Sequence, residues 1–292
     1  MTDHLHDRGL AFDLTTLRDR RNVLKLLGGA GLVALVGCGK SNNATTTTAL
    51  AATTTTAPTT TTKGTPTSIA TSSTAAPAVA VPADCSVIPE ETGGPFPGDG
   101  SNGPNALSES GVVRSDIRSS FGSSATVAKG VPLTIKLRIL DQAKTCAPMA
   151  GAAVYVWHCD MEGRYSLYSS GATNENYLRG VQETDKEGLV TFTSIFPAAY
   201  SGRWPHIHFE VFPSVAAATG VGRKLATSQV ALPQDVCEAV YATDGYSQSV
   251  RNLSQVSLQS DNVFGDDGGK HQLATISGSA PTGIVAALAV PV

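Results

Sequence analysis

The chain has 292 residues, which is enough for one large domain or two small ones. Its formal net charge of −3 excludes the strongly basic balance typical of nucleic-acid-binding proteins. Glycine and proline are frequent, at 29 and 16 residues, and this composition is typical of many short strands joined by turns.

The N-terminal residues have the pattern of an export signal. Arg20 and Arg21 precede a short apolar run over residues 26–36, which resembles a twin-arginine signal. The run ends at Cys38, in a setting that resembles a bacterial lipobox. We therefore predict a signal peptide over residues 1–38 and a lipid anchor at Cys38, with the protein exported to the outer face of the cytoplasmic membrane. An uncleaved N-terminal anchor, or a signal cut elsewhere, is the alternative.

Residues 39–82 are rich in Thr, Ala and Pro and hold few large apolar side chains. Such a segment cannot bury enough surface to offset the entropy of ordering, so we predict a disordered tether. Residues 83–292 then form the folded domain. That domain holds an even number of cysteines, which predicts two disulfides in an oxidising compartment. We disfavour a bond between Cys146 and Cys159 because a predicted strand lies between them, and the other pairings, which involve Cys85 and Cys237, stay open.

The domain has the alternating pattern of β-strands. Apolar residues recur at every second position from Val131 to Ile139, which predicts a half-buried strand. Further strands are predicted at residues 153–158, 188–195, 205–212, 224–232 and 284–290. The expected fold is all-β, an antiparallel β-sandwich. Residues 85–121 are rich in Gly, Pro and Ser, and we predict a long N-terminal arm that lies across the sandwich.

Two histidines and two tyrosines form a candidate metal site. His206 and His208 are two positions apart on a predicted strand and therefore share a face. Tyr165 follows another strand, and Tyr200 lies on the loop that leads into the histidine strand. Phenolates are hard anionic donors, so this set suits ferric iron better than zinc or copper. A free phenol has a pKa of about 10, and binding as the anion requires a strong Lewis acid.

From residue 85 to 235 the chain resembles the intradiol ring-cleavage dioxygenases. The resemblance is carried by four segments, at residues 92–96, 151–166, 179–188 and 197–211. It implies an immunoglobulin-like or prealbumin-like sandwich, a non-haem Fe(III) cofactor, and cleavage of a catecholic substrate by O2 to a cis,cis-muconate-type product.

The resemblance also implies roles for individual residues. Tyr165 and His208 would be equatorial ligands of the metal, and Tyr200 and His206 axial ones. Tyr200 would leave the metal and act as a base towards the substrate. Arg203 would stabilise charge on the substrate, and Gln229 would be a further active-site residue.

The chain departs from better-known members in lacking a helical N-terminal dimerisation region, in its export signal, and in an apparent insertion at residues 213–223. A larger catecholic compound, such as a lignin fragment or a siderophore, is therefore an alternative substrate. A non-catalytic cell-surface binding module is an alternative function. A zinc or copper site on His206 and His208 ranks last because it leaves both tyrosines unexplained.

Overall fold

The computed structural model describes residues 79–292. The predicted signal peptide, the lipid anchor at Cys38 and nearly all of the predicted tether lie outside the described residues. Val79, the first described residue, is buried, and its carbonyl accepts a hydrogen bond from Arg138 (3.0 Å). No helix within the described part of the chain has the length and apolar character needed to cross a membrane.

Two β-sheets form the architecture, and the prediction of an all-β sandwich is confirmed. The strands of residues 79–292 are β1 (Pro132–Asp141), β2 (Ala147–Pro148), β3 (Ala153–Trp157), β4 (Arg179–Glu183), β5 (Leu189–Ile195), β6 (His206–Phe212), β7 (Ala226–Ala231), β8 (Thr275–Ser279) and β9 (Gly283–Pro291).

The first sheet is built around β1, which pairs with β5 on one side and with β9 on the other. β2 pairs with the last two residues of β1, and β8 pairs with β9 at the opposite edge of the sheet. The pairing of β1 with β9 is parallel, which departs from the expected antiparallel pattern. The second sheet has the order β4-β3-β6-β7, and its pairs are all antiparallel.

The core lies between the two sheets. The first sheet contributes alternating residues of β1, such as Leu133 and Ile135. The second sheet contributes Ile207 and Phe209 of β6, which are buried in the same cluster. Each large apolar side chain of this kind contributes about 1.5–3 kcal/mol when it is removed from water. Because Ile207 and Phe209 point into the core, the histidines that alternate with them face the other side of the sheet.

Among residues 79–292, three α-helices lie outside the sheets, at α1 (Val215–Ala218), α2 (Gln234–Tyr241) and α3 (Ser247–Leu253). The sequence analysis predicted only strands in the folded domain, and it therefore missed α2 and α3. The predicted insertion at residues 213–223 contains α1, which begins after Ser214, whose side chain accepts a hydrogen bond from the backbone N–H of Ala217.

The prediction of two disulfides is wrong within the described residues. Cys85 and Cys146 are bonded, with their Cα atoms 5.9 Å apart. Cys159 and Cys237 are free and buried. The bond joins the start of the N-terminal arm to the loop after β1, and so fixes one end of the arm to the first sheet.

The arm contacts both sheets through hydrogen bonds to their backbone carbonyls. Ile117 is fully buried, and its backbone N–H donates to Thr193 of β5 (2.9 Å). Arg114 donates from Nε and Nη2 to the carbonyl of Arg179 (2.9 and 2.7 Å). Arg118 pairs with Asp116 two residues away on the surface, so that ion pair does not connect the arm to the sandwich.

Candidate metal centre

The four predicted donors converge at one end of β6. The Nε2 atoms of His206 and His208 are 3.1 Å apart. The Tyr200 hydroxyl lies 3.2 Å from His206 Nε2, and the Tyr165 hydroxyl lies 3.5 Å from both the Tyr200 hydroxyl and His206 Nε2. Donor atoms with these separations fit around a single ion at bond lengths of about 2 Å. The structure thus brings together the four residues that the sequence grouped, while their binding of a metal stays a prediction.

Tyr165 is held by a tight turn after β3. Oδ1 of the buried Asp160 accepts hydrogen bonds from the backbone N–H groups of Glu162 and Arg164 (3.0 and 2.9 Å). Gly163, at φ +80°, brings this turn against the second tyrosine loop, since a Cβ there would lie 3.2 Å from the Tyr200 Cβ. A glycine at this position therefore lets both phenols approach the histidine strand.

The two histidines are oriented by different contacts. His206 Nδ1 lies 2.5 Å from the Trp204 carbonyl, which can only accept, so Nδ1 carries the proton and Nε2 presents a lone pair. His208 stacks on Trp157, which is its direct partner on β3, with ring centroids 4.8 Å apart and planes 6° from parallel. Its buried Nδ1 has no hydrogen-bond partner among residues 79–292. Orientation of a ligand through its second nitrogen is usual in metal sites.

Burial sets the protonation of all four donors. Burial, reinforced by the neighbouring Tyr200, raises the pKa of Tyr165 well above its ordinary value, and burial raises the pKa of Tyr200 to about 12 against the opposing charge of Arg203. Burial also lowers the pKa of His206 and His208, and the charge of Arg203 adds to this effect. The imidazoles are therefore neutral and able to bind a metal, whereas both phenols need a Lewis acid to displace their protons.

This donor set fits a hard, highly charged ion. Two anionic oxygens and two neutral nitrogens suit ferric iron better than zinc, whose protein ligands are histidine, cysteine and carboxylate. In residues 79–292, no group of three or more His, Cys, Asp or Glu side chains could hold a metal.

Arg203 and Gln229 lie beside the donors and contact each other. Gln229 is directly opposite His208 on β7, which places both side chains on one face of the sheet. Arg203 Nη2 donates to Gln229 Oε1 (2.7 Å), and Gln229 Nε2 donates to the Thr92 carbonyl (3.0 Å). Burial opposes the charge of Arg203, but the neighbouring Tyr200 and Asp261 raise the pKa of its guanidinium above the ordinary value. Both residues predicted from the sequence therefore lie at the site.

The arm covers the histidine face of β6. His206 and His208 are only 2% and 3% exposed. Gly94, at φ +69°, lies against the His208 ring, and a Cβ there would come within 3.3 Å of Cε1. Gly93 lies beside Glu210, the next residue on that face, at the wall of a cavity of about 310 Å³. The arm therefore closes the site on the side away from the core.

Asp261 is the residue at the site that the sequence did not reveal. Its carboxylate is fully buried and accepts from Arg203 Nε (2.9 Å). Burial disfavours its charge, yet the Arg203 guanidinium and the Trp204 N–H hold the pKa of Asp261 below its ordinary value. It lies 58 positions after Arg203 in a polar loop, where no local pattern marks it.

Comparisons with known proteins identify relatives of this fold and site. Residues 115–219 match the sequence model of the family described as Dioxygenase. Chlorocatechol 1,2-dioxygenase from Rhodococcus opacus is 29% identical over 93 residues, which are 27% of this chain and 35% of that protein. The chain thus spans about a third of the length of this curated relative.

Solved structures are similar over a larger share. An intradiol ring-cleavage dioxygenase from Tetranychus urticae is 26% identical, covering 63% of this chain and 87% of that chain, with a TM-score of 0.49. The crystal structure of the dioxygenase Tetur07g02040 is 25% identical with the same coverage, and its TM-score is 0.51. The predicted resemblance to the intradiol ring-cleavage dioxygenases is confirmed.

Proposed function

We propose that this chain binds a ferric ion through Tyr165, Tyr200, His206 and His208 and cleaves a catecholic compound between its two hydroxyls with O2. The expected product is of the cis,cis-muconate type. The observation that carries the proposal is the convergence of two phenol oxygens and two imidazole nitrogens at separations of 3.1 to 3.5 Å. The confirmed family resemblance supports the same reaction.

The ferric ion would supply a Lewis acid that binds both catechol oxygens and makes the ring reactive towards O2. Tyr200 is suited to receive a proton from the substrate, because the pKa of about 12 that burial gives its phenol makes the phenolate a strong base. Tyr200 is also the more exposed of the two tyrosines, whereas Tyr165 is 2% exposed and is enclosed by its turn. Tyr200 is therefore better placed to move when a substrate binds.

Arg203 and Gln229 would stabilise the bound substrate. Nη1 of Arg203 has no protein hydrogen-bond partner within residues 79–292, although Nε and Nη2 are both engaged. A cationic N–H that is free beside the donors can stabilise negative charge on a substrate ring or oxygen, and preorganised donors of this kind are worth about 3–4 kcal/mol in other enzymes.

The proposal places the enzyme outside the cytoplasm, anchored by lipid at Cys38. The disulfide between Cys85 and Cys146 supports an oxidising compartment, since such bonds are rare in reducing cytosol. A twin-arginine route carries folded proteins and would let the domain acquire iron before export. Export also agrees with a larger extracellular catecholic substrate, which a panel of catechols would test. If simple catechol were turned over fastest, the proposal of a larger substrate would be contradicted, but the proposed reaction would not.

The test is the visible absorption spectrum of the purified full chain, with iron content measured in parallel, before and after anaerobic addition of catechol. We expect a tyrosinate-to-Fe(III) charge-transfer band that shifts to longer wavelength with catechol, followed by ring cleavage when O2 is admitted. Tyr200→Phe should alter the band and abolish most turnover, because it removes one donor and the proposed base.

Tyr168→Phe is the matched control. Its hydroxyl accepts from the Gly98 N–H and donates to Asn102, and it is not one of the converging donors. This variant should keep the band and the turnover. A wild-type chain that stays colourless after ferric reconstitution, or a Tyr200→Phe variant with unchanged colour and activity, would contradict the proposal and favour a non-catalytic binding module.

A further inference from the structure

Asp261 contacts the candidate site at two points, the Arg203 guanidinium and the backbone N–H of Trp204. Its side chain is 0% exposed and accepts five hydrogen bonds from protein N–H groups, which come from Arg203 Nε and Nη2 and from the backbones of Trp204, Val263 and Phe264. Both carboxylate oxygens are therefore fixed from two sides, by the loop before β6 and by the backbone of the loop that carries Asp261 itself.

The first of these connections sets the position of the Arg203 guanidinium. Nε donates to Asp261 Oδ2 at 2.9 Å, and Nη2 is shared between Asp261 Oδ1 at 3.3 Å and Gln229 Oε1 at 2.7 Å. This two-point contact with a planar carboxylate fixes both the place and the plane of the guanidinium. The remaining nitrogen, Nη1, is left for a substrate.

The second connection leads to a metal ligand. Asp261 Oδ2 accepts from the Trp204 N–H at 2.7 Å, and the carbonyl of the same Trp204 accepts from Nδ1–H of His206 at 2.5 Å. The carboxylate thus holds the backbone N–H of the residue whose carbonyl orients the imidazole. Support of a ligand through its second nitrogen is a recognised way of tuning a metal site.

Resting on the proposed function, we infer that Asp261 is a positioning residue of the reaction, acting on the substrate through Arg203. It does not hydrogen-bond to any of the four metal donors, and of its two connections only the one through Arg203 ends at a group with a free N–H for a substrate, so its effect on kcat should pass through the guanidinium. Asp261 lies outside residues 115–219, the part of the chain that matches the family. A purely structural role for Asp261 is the competing explanation, and it makes a different prediction when Arg203 is changed.

The experiment is a double-mutant cycle on the full-length, iron-loaded chain, with Asp261→Asn, Arg203→Gln and the combined variant. We expect Asp261→Asn to lower kcat by about 10- to 100-fold, the range typical of supporting residues around a metal. Iron content and the charge-transfer band without catechol should stay at the wild-type level, and the dissociation constant for catechol, measured anaerobically, should rise. In the Arg203→Gln background, Asp261→Asn should have no further effect on kcat.

Glu175→Gln is the control, because the Glu175 carboxylate accepts hydrogen bonds from the hydroxyls of Ser120, Ser124 and Thr126, none of which belongs to the candidate metal site. It should leave kcat unchanged. If Asp261→Asn alone does not fold, the combined variant still decides the question, since it leaves no unpaired charge. Its kcat is then compared with that of Arg203→Gln.

Two outcomes would overturn this inference but not the proposed function. One is a folded Asp261→Asn variant with the kcat and the catechol affinity of the wild type. The other is a combined variant whose kcat is clearly lower than that of Arg203→Gln. A wild-type chain that binds no iron and cleaves no catechol overturns the proposed function itself, and this inference with it. The two failures are therefore distinguishable.

Discussion

Gly94 offers a sharp test of how the N-terminal arm supports the site. It has φ +69°, and a Cβ added there would lie 3.3 Å from Cε1 of His208. Non-bonded carbon atoms prefer separations of about 3.5–4.0 Å, so in Gly94→Ala either the arm or the imidazole must move by a few tenths of an ångström. The His208 ring is also stacked on Trp157, which limits how it can move in response.

The experiment distinguishes the stability cost of an alanine at positive φ from an effect on metal binding. An alanine at positive φ costs about 1–2 kcal/mol wherever it stands. Gly122→Ala is the matched control, since Gly122 has φ +75° and a Cβ there would meet no atom within 4 Å. Both variants should lose a similar amount of stability, but only Gly94→Ala should weaken iron binding, by about 10- to 100-fold.

Urea unfolding gives the stability of each variant, and competition with a chelator gives the affinity for ferric iron. Equal iron affinity in Gly94→Ala and Gly122→Ala would refute the reasoning, because it would mean that the arm does not constrain the His208 ligand. A loss of affinity in both variants would point to a general effect of the backbone strain instead.

Three further predictions concern stability. Arg179→Lys should cost about 2–4 kcal/mol, because the buried guanidinium donates five hydrogen bonds that an ammonium cannot reproduce, whereas the exposed Arg118→Lys should cost little; equal urea midpoints would contradict this. Replacing Cys85 and Cys146 together by serine should cost about 4 kcal/mol, since the bond closes a loop of 61 residues; an unchanged unfolding midpoint would count against it. Burial raises the pKa of Glu91 from 4.5 to about 7, partly opposed by Gln272, so its proton is held more tightly in the folded state and stability should fall as pH rises between these values. After discounting for solvent screening at the cavity rim, this amounts to about 1–2 kcal/mol, and a Glu91→Gln variant with the same slope would exclude Glu91 as its source.

The sequence predicted the strands whose patterns are local and regular. β1 alternates strictly, and β6 alternates apolar residues with the histidine face, so both could be placed within a residue or two. β4 was missed because its first residue, Arg179, is a buried charge held by hydrogen bonds, which breaks any apolar pattern. α2 and α3 were missed because helices of eight and seven residues show too few turns for a clear period.

The same contrast applies to the site. His206 and His208 share a face by strand periodicity, and the tyrosines lie close enough in sequence for their spacing to be informative. The covering of His208 by Gly94 depends on a contact between segments far apart in sequence, and so does the pairing of Arg203 with Asp261. Contacts of this kind follow from how the arm and the C-terminal loops pack, which no local periodicity encodes.

The residues of the candidate site come from different segments of the chain. Residues 115–219 contain all four donors and Arg203. The residues that orient or enclose them come from elsewhere, since Gly94 lies before this region and Gln229 and Asp261 after it. On the proposed function, a metal needs only the four donors, whereas a substrate also needs a fixed guanidinium. Changes in the flanking segments should therefore alter the choice and turnover of substrate more readily than the affinity for iron, except at Gly94, where the arm touches His208 directly.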